Sequence, residues 1–153
     1  MTDLKAQQST TEKDLLVAFF DLSRFAREVR GLHSRELFDL MSQYYEFVGD
    51  IIENAGGTIV KFIGDAALIV FAENHVDKGV LALQTLKEQG DAWLSQQGMH
   101  SHHTIRAHFG SVTCGHLGTK SEKRFDVFGD TVNIAATLSS NNLAITPQVF
   151  RKL

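Results

Sequence analysis

Hydrophobic and polar positions in the first part of the chain divide into short apolar runs and segments of helical periodicity. The continuous apolar run from Leu15 to Phe20 ends at Asp21, which is typical of a strand that is buried on both faces. Apolar residues then recur at helical spacing from Ser34 to Ala55, and two glycines follow. The pattern therefore predicts a buried strand followed by a long helix.

The next segment predicts a tight β-hairpin with a carboxylate at its tip. Two runs rich in strand-forming residues, Thr58 to Ile63 and Ala66 to Phe71, are separated only by Gly64 and Asp65. Two residues are the commonest length for a hairpin connection, and glycine tolerates the backbone conformation that such turns require. Asp65 is thus expected at the end of the hairpin.

The second half of the chain adds further strands and helices around a glycine-rich segment, Gly110 to Gly118. The predicted elements are a helix over 76–94, strands over 104–112, 124–128 and 143–145, a helix over 131–140, and a last helical turn that begins at Thr146 and Pro147. Helices separated by antiparallel strand pairs indicate an α+β sandwich, in which one sheet is covered on one face.

Length and composition describe a single globular domain. The chain has 153 residues, of which 43% are hydrophobic and 22% are charged, and it contains one proline. These values separate it from disordered and fibrous proteins. The first fourteen residues are polar and are expected to form a flexible N-terminal lead-in, so that the domain itself covers 15–153.

The charge and the cysteine content indicate which classes of binding partner and which cellular compartment to expect. The net charge is −3, without a basic stripe or an arginine run, which argues against nucleic acid and anionic membranes as partners. Cys114 is the single cysteine, so an intrachain disulfide is excluded. The longest apolar run is far too short to span a bilayer. We therefore expect a cytoplasmic protein.

Asp21 and Asp65 are candidate chemical groups because each lies at the end or turn of an apolar strand. Burying a carboxylate there costs free energy unless a cation meets it. If the strand and the hairpin are neighbours, the two carboxylates converge into a hard-cation site suited to Mg²⁺ or Mn²⁺ shared with a substrate phosphate. For either residue alone, an aspartate that only caps a turn is about equally frequent.

Four segments resemble the catalytic domain of class III adenylate and guanylate cyclases in order, spacing and residue type. They are Phe19 to Phe25, Gly56 to Ala66, Gly110 to Gly118 and Phe125 to Ala136. The resemblance implies a ferredoxin-like or palm-like antiparallel sheet, with a βαββαβ core, that is covered by helices. It also implies a lyase that converts a purine NTP to a 3′,5′-cyclic nucleotide and pyrophosphate. Such a lyase works as a head-to-tail homodimer with composite sites at the interface.

The resemblance assigns metal and phosphate binding to the first strand and the hairpin. Asp21 and Asp65 match the family's two metal-binding aspartates, which implies two Mg²⁺ or Mn²⁺ ions in each site. The backbone after the first aspartate matches the loop that wraps the β- and γ-phosphates. That loop consists here of Leu22, Ser23, Arg24 and Phe25.

The same resemblance assigns the base and the ribose to three further residues. Lys61 and Asp126 match the pair that reads the purine, and ATP is the implied substrate because guanylate-selective members carry Glu and Cys there. Lysine can donate to a ring nitrogen of adenine, and aspartate can accept from its exocyclic amine. Asn133 matches the asparagine that orients the ribose while its 3′-oxygen attacks the α-phosphorus.

Three features depart from the family pattern. Thr137 stands where the family has an arginine that stabilises charge on the transferring phosphoryl group, and losing such an arginine lowers the rate by about 10³-fold or more. Arg24 stands where the family has glycine, and it either supplies a cation to the phosphates or crowds them. The family's phosphate-binding lysine belongs to closing strands that would follow Leu153, so these strands are expected to be missing.

Two alternatives to an active cyclase stay open. A degenerate homologue would bind a nucleotide or a regulatory partner with little or no turnover, which Thr137 favours. A diguanylate cyclase, whose fold is related, is disfavoured because the hairpin lacks the Gly-Gly-acidic-acidic-Phe signature.

Three histidines, His100, His102 and His103, lie close together in one segment. Such clusters can bind Zn²⁺ or Ni²⁺. Since no cysteine is near them in sequence, we interpret the segment as a polar loop.

Overall fold

The structure, a computed structural model, describes residues 4–153. It contains the predicted strands and helices and one additional short helix, α1. The strands are β1 (Thr11–Leu22), β2 (Thr58–Ile63), β3 (Ala66–Ala72), β4 (His103–Gly118), β5 (Lys123–Phe128) and β6 (Leu143–Ile145). The helices are α1 (Phe25–Glu28), α2 (Ser34–Asn54), α3 (Val76–Gln96), α4 (Asp130–Thr137) and α5 (Pro147–Phe150).

All six strands belong to one sheet. Five of them follow the order β2–β3–β1–β4–β5 with antiparallel neighbours, and β6 pairs in parallel with the first part of β4. The elements β1, α2, β2, β3, α3 and β4 follow one another in the βαββαβ order. The predicted α+β fold with an antiparallel sheet is therefore confirmed.

Helices cover both faces of this sheet, rather than the one face that the pattern predicted. Leu16, Ala18 and Phe20 of β1 are fully buried in a core that also contains residues of α2 and α3. The alternate residues of β1 pack in a second core, where Ala135 of α4 is fully buried. Both faces of β1 are buried, as its apolar run predicted. None of the helices that the structure describes could cross a bilayer, since each is too short or too polar.

β1 begins at Thr11, four residues before its predicted start. Thr11 pairs with Cys114 and Asp14 pairs with Ser111, although the side chains of Glu12 and Asp14 are exposed. Backbone pairing with the long strand β4, rather than side-chain burial, therefore extends β1 through this polar segment. The predicted lead-in is correspondingly shorter, and its first three residues lie outside the described residues.

The β2–β3 hairpin contains a β-bulge. Ile59 pairs with Ile69 and Lys61 pairs with Leu68, so that Val60 is an extra residue of β2 opposite a continuous β3. Val60 is buried, whereas Lys61 is exposed beside it.

Candidate active site

Asp21 and Asp65 lie at one end of the sheet because β1 and β3 are antiparallel neighbours. Phe20 pairs with Ala67, so Leu22, two residues further along β1, lies beside Asp65, two residues before Ala67. The backbone N–H of Leu22 donates to Oδ2 of Asp65 at 2.9 Å. Asp65 therefore contacts the backbone of the residue that follows Asp21, which places the two predicted metal-binding residues at the same end of the sheet.

Strand β4 supplies two polar groups that hold Asp21. Thr104 pairs directly with Asp21, and its hydroxyl donates to Oδ1 of that carboxylate. Arg106 lies two residues further, on the same face of β4, and its Nη2 is 3.4 Å from Oδ2 of Asp21. Its Nε donates to the carbonyl oxygen of Ala136 in α4 at 3.3 Å. Sequence analysis missed Thr104 and Arg106, because only the β1–β4 register shows that they face Asp21.

The donor set fits a divalent cation that is shared with a substrate. Mg²⁺ is commonly bound by one or two carboxylates together with substrate phosphates and water. The side chain of Asp21 is 45% exposed, and Asp65 is half-buried at the hairpin tip. Within residues 4–153 no three His, Cys, Asp or Glu side chains form a cluster that could enclose a metal. The two aspartates thus suit an open site that substrate oxygens complete.

The negative charge of Asp65 is felt by a neighbouring tyrosine. The hydroxyl of Tyr45 donates to the carbonyl oxygen of Gly64 at 2.6 Å, which places it against the turn that carries Asp65. Burial, and after it the charge of Asp65, raises the pKa of Tyr45. Tyr45 therefore remains a neutral donor at the tip of the hairpin.

The predicted phosphate loop is held mainly through its first two residues. The N–H of Leu22 donates to Asp65, and the N–H of Ser23 donates to the carbonyl oxygen of His102 at 2.9 Å. Arg24 has φ 57° and ψ 19°, a left-handed conformation that no other non-glycine residue of the described chain adopts. That conformation costs a non-glycine residue about 1–2 kcal/mol. A glycine at this position would adopt the same conformation without that cost.

The three clustered histidines have different surroundings and share no ligand position. His100 is exposed, whereas Nδ1 of His102 lies 2.8 Å from the hydroxyl oxygen of Ser23. His103 is fully buried, and the interpretation of this segment as a polar loop is wrong for it. The error arose because His103 is the first residue of β4 and points into the core, which the polarity of its neighbours conceals.

Lys61 and Asp126, the predicted base-reading pair, form an ion pair. Nζ of Lys61 lies 2.8 Å from Oδ2 of Asp126, and the N–H of Val127 donates to Oδ1 at 2.8 Å. β2 and β5 lie at opposite ends of the strand order, but Val60 and Val127 pack in the same core. The β4–β5 hairpin therefore curls across this face of the sheet and brings the two side chains together.

Asn133 lies on the exposed side of α4 and contributes to a cleft with the ion pair. Phe19, Lys61, Asp126 and Asn133 are among the residues that line this cleft of about 320 Å³. Thr137 lies one turn further along α4, and its hydroxyl donates to the carbonyl oxygen of Asn133 at 2.8 Å. Asp21 and Asp65 do not line the cleft. The cleft does contain Phe19 and Ile63, which lie two residues before Asp21 and Asp65 in the chain. One chain therefore presents the predicted carboxylates and a cleft that contains the other predicted site residues.

Comparisons with known proteins agree over nearly the whole chain. The sequence profile of the adenylate and guanylate cyclase catalytic domain matches residues 7–151. An adenylate cyclase of Anabaena cylindrica is 26% identical over 159 aligned residues, which cover 95% of this chain and 32% of that protein. The chain thus spans about a third of the length of this relative.

Solved structures show the same fold. The adenylyl cyclase CyaB from P. aeruginosa superposes with a TM-score of 0.87 at 23% identity, over 94% of this chain and 82% of that one. The guanylate cyclase domain of RhGC from Catenaria anguillulae, in complex with GTP, superposes with a TM-score of 0.82 at 22% identity. That alignment covers 93% of this chain and 83% of the other.

Proposed function

This chain belongs to the adenylate and guanylate cyclase catalytic domain family, and we propose that it converts a purine NTP, preferably ATP, to a 3′,5′-cyclic nucleotide and pyrophosphate. The observation that carries the proposal is that one chain presents both sets of groups that the reaction needs. Asp21 and Asp65 lie at one end of the sheet, and Lys61, Asp126 and Asn133 line one cleft. A head-to-tail homodimer would unite one chain's carboxylates with its partner's cleft in each of two composite sites.

The reaction is an intramolecular phosphoryl transfer. The ribose 3′-oxygen bonds to the α-phosphorus, the bond from that phosphorus to the bridging oxygen breaks, pyrophosphate leaves, and the hydroxyl proton passes to solvent. Asp21 and Asp65 would hold two Mg²⁺ or Mn²⁺ ions, which supply Lewis acidity when bound. Asn133 would orient the ribose, and Arg106 keeps a positive charge 3.4 Å from Asp21.

The proposed preference for ATP rests on the Lys61–Asp126 pair. The two side chains already lie 2.8 Å apart at the edge of the cleft, so one donor and one acceptor are presented side by side. A ring nitrogen and an exocyclic amine of adenine match that order of acceptor and donor. Guanine presents a carbonyl oxygen in place of the amine, and Asp126 would then face another acceptor.

The test is product formation from each of the four common NTPs with Mn²⁺, measured by chromatography. We expect cyclic AMP from the wild-type chain and a fall to the uncatalysed background for Asp65→Asn. This substitution keeps an oxygen that accepts from the N–H of Leu22 but removes the charge. Asp39→Asn is the matched control, because Asp39 is an exposed aspartate of α2 that pairs only with Arg35. Absence of a cyclic product from every NTP would contradict the proposal.

A second candidate function is nucleotide binding without turnover, in a regulatory or interaction module. Thr137 favours it, because this residue carries no charge and its hydroxyl is already bonded to the carbonyl oxygen of Asn133. Calorimetry with a non-cyclisable ATP analogue distinguishes the two functions. Binding by a chain that forms no product would support the module, and binding together with product formation would support the cyclase.

A further inference from the structure

A cluster of polar side chains lies between α2, α3 and the start of β4, with His103 and Tyr44 buried and Lys87 and Asp91 half-buried. His103 is fully buried, and its Nδ1 lies 2.9 Å from Oδ1 of Asp91 while its Nε2 lies 2.6 Å from the hydroxyl oxygen of Tyr44. The N–H of His103 also donates to Oδ1 of Asp91, at 2.7 Å. Lys87 closes the cluster, since its Nζ lies 2.8 Å from Oδ2 of Asp91 and donates to the carbonyl oxygen of His103 at 2.7 Å.

These contacts determine which atoms of the His103 ring and of Tyr44 carry a proton. A carboxylate only accepts, so Nδ1 of His103 carries the proton, and Nε2 accepts from the hydroxyl of Tyr44. Burial lowers the pKa of His103 and raises that of Tyr44, which keeps both groups neutral. Burial raises the pKa of Asp91, but the hydrogen bonds from Lys87 and His103 outweigh it and hold that pKa below its usual value. Every polar atom of the His103 ring and backbone thus has a partner.

The position of the His103 ring leaves room only for glycine at one position of α3. A Cβ atom at Gly90 would lie 2.5 Å from Cε1 of His103, so no other residue fits without a shift. A glycine inside a helix of 21 residues lowers helix stability by about 1 kcal/mol relative to alanine. An apolar residue at position 103 would fill such a core without needing the two polar partners of the imidazole, Asp91 and Tyr44. The cluster therefore calls for an explanation beyond packing.

The explanation lies in the two residues that flank His103. Nδ1 of His102 contacts the hydroxyl of Ser23, its N–H donates to that hydroxyl at 3.0 Å, and its carbonyl oxygen accepts from the N–H of Ser23. Thr104 donates to the carboxylate of Asp21. Successive side chains of a strand point to opposite faces. Anchoring His103 in the core therefore sets the position of the two residues that hold Asp21 and the loop after it.

We propose that His103 and Asp91 are positioning residues for the carboxylate site, acting on Asp21 through Thr104 and on Ser23 through His102. This inference rests on the proposed function, because the proposed function supplies the metal ion that Asp21 would bind. Groups that orient metal ligands in this way typically change metal affinity or activity by about 10–100-fold when they are removed. A reacting group displaced by about 1 Å can lose a similar factor in rate.

The test measures Mn²⁺ binding by electron paramagnetic resonance at a saturating concentration of a non-cyclisable ATP analogue, alongside kcat and KM for ATP. We expect Asp91→Ala to weaken Mn²⁺ binding and lower kcat by about 10-fold or more, with KM for ATP little changed. Asp91→Asn keeps an oxygen that accepts both bonds from His103 but turns an amide NH₂ group toward Nζ of Lys87, so we expect a loss of affinity that is clearly smaller than that of Asp91→Ala. Val48→Ala is the matched control, because Val48 is fully buried in the same core without a polar contact.

A second variant tests the transmission without disturbing the buried cluster. Thr104→Val preserves shape and removes only the hydroxyl that donates to Asp21, so we expect a similar loss of Mn²⁺ affinity in a fully folded chain. Wild-type values for Thr104→Val, or equal losses for Asp91→Ala and Val48→Ala, would overturn the positioning role while leaving the cyclase proposal intact. A wild-type chain that neither binds Mn²⁺ with the analogue nor forms product would refute both.

Discussion

Exchanging Lys61 and Asp126, the proposed base-reading pair, should change the preferred nucleotide with little change in stability. The perturbation is Lys61→Glu combined with Asp126→Cys, the pair that guanylate-selective members carry. The wild-type ion pair has side chains that are 44% and 17% exposed. Solvent screening limits such a pair to about 0.2–1 kcal/mol, so the melting temperature should fall by less than about 4 °C.

The effect on selectivity is expected to be much larger than the effect on stability. Each base contact left with an unpaired buried group costs about 1–3 kcal/mol, and two contacts therefore shift the ratio of kcat/KM for ATP over GTP by about 10²-fold or more. Lys61→Glu alone should lower kcat/KM more than the double variant does. It places a second carboxylate beside Asp126, at the position where Nζ of Lys61 lies 2.8 Å from Oδ2 in the wild-type chain. The assay offers ATP and GTP together and quantifies both cyclic products.

The control neutralises an ion pair of the β4–β5 hairpin, which also carries Asp126. Arg124 and Glu122 lie 2.7 Å apart with exposed side chains, so neutralising both with glutamine should leave the nucleotide ratio unchanged. An ATP-to-GTP ratio in the Lys61→Glu, Asp126→Cys variant that equals the wild-type ratio would refute the base-reading role of these residues.

Two further outcomes follow from backbone strain and from titration. Arg24→Gly should raise the melting temperature by about 2–4 °C, because glycine relieves a left-handed φ of 57°, whereas Arg27→Gly in α1 should lower it; thermal melting of both variants checks this. Burial lowers the pKa of His103, so the unfolded imidazole, with a pKa of about 6.5, binds a proton first as the pH falls. The free energy of unfolding should therefore hold above about pH 7 and decrease below pH 6.5. Urea denaturation of His103→Gln should show a smaller decrease in the free energy of unfolding over this pH range. A decrease equal to that of the wild-type chain would contradict the assignment of the pH dependence to His103.

Local patterns sufficed for the elements whose side chains carry the signal. The run from Leu15 to Phe20 predicts a strand buried on both faces, and the spacing around Gly64 and Asp65 predicts the hairpin. Thr11 to Asp14 carry no such signal, because their place in β1 comes from backbone pairing with β4. A polar segment of this kind is therefore predicted as a flexible tail, although it is a strand paired with a longer neighbour.

The candidate site was predicted only as far as motifs reach. Asp21 and Asp65 can be predicted from strand ends, but the side chains that hold Asp21 lie about 80 residues away in the chain. Thr104 and Arg106 acquire their partners through the register of β1 against β4, which no local pattern specifies. His103 is a stronger case, since a histidine among polar neighbours is the fully buried centre of a network that spans α2, α3 and β4.

The bulge at Val60 has a consequence for how relatives of this chain can differ in length. Lys61 and Asp65 are joined by a regularly paired segment, so the number of residues between the proposed base-reading lysine and the proposed metal-binding carboxylate is fixed by the ladder itself. Val60 is outside that ladder, and its deletion would leave every remaining pair of the hairpin in register. Insertions and deletions in β2 should therefore accumulate on the Gly57 side of Lys61 during evolution. An alignment of this hairpin is best anchored at Asp65 and counted backwards.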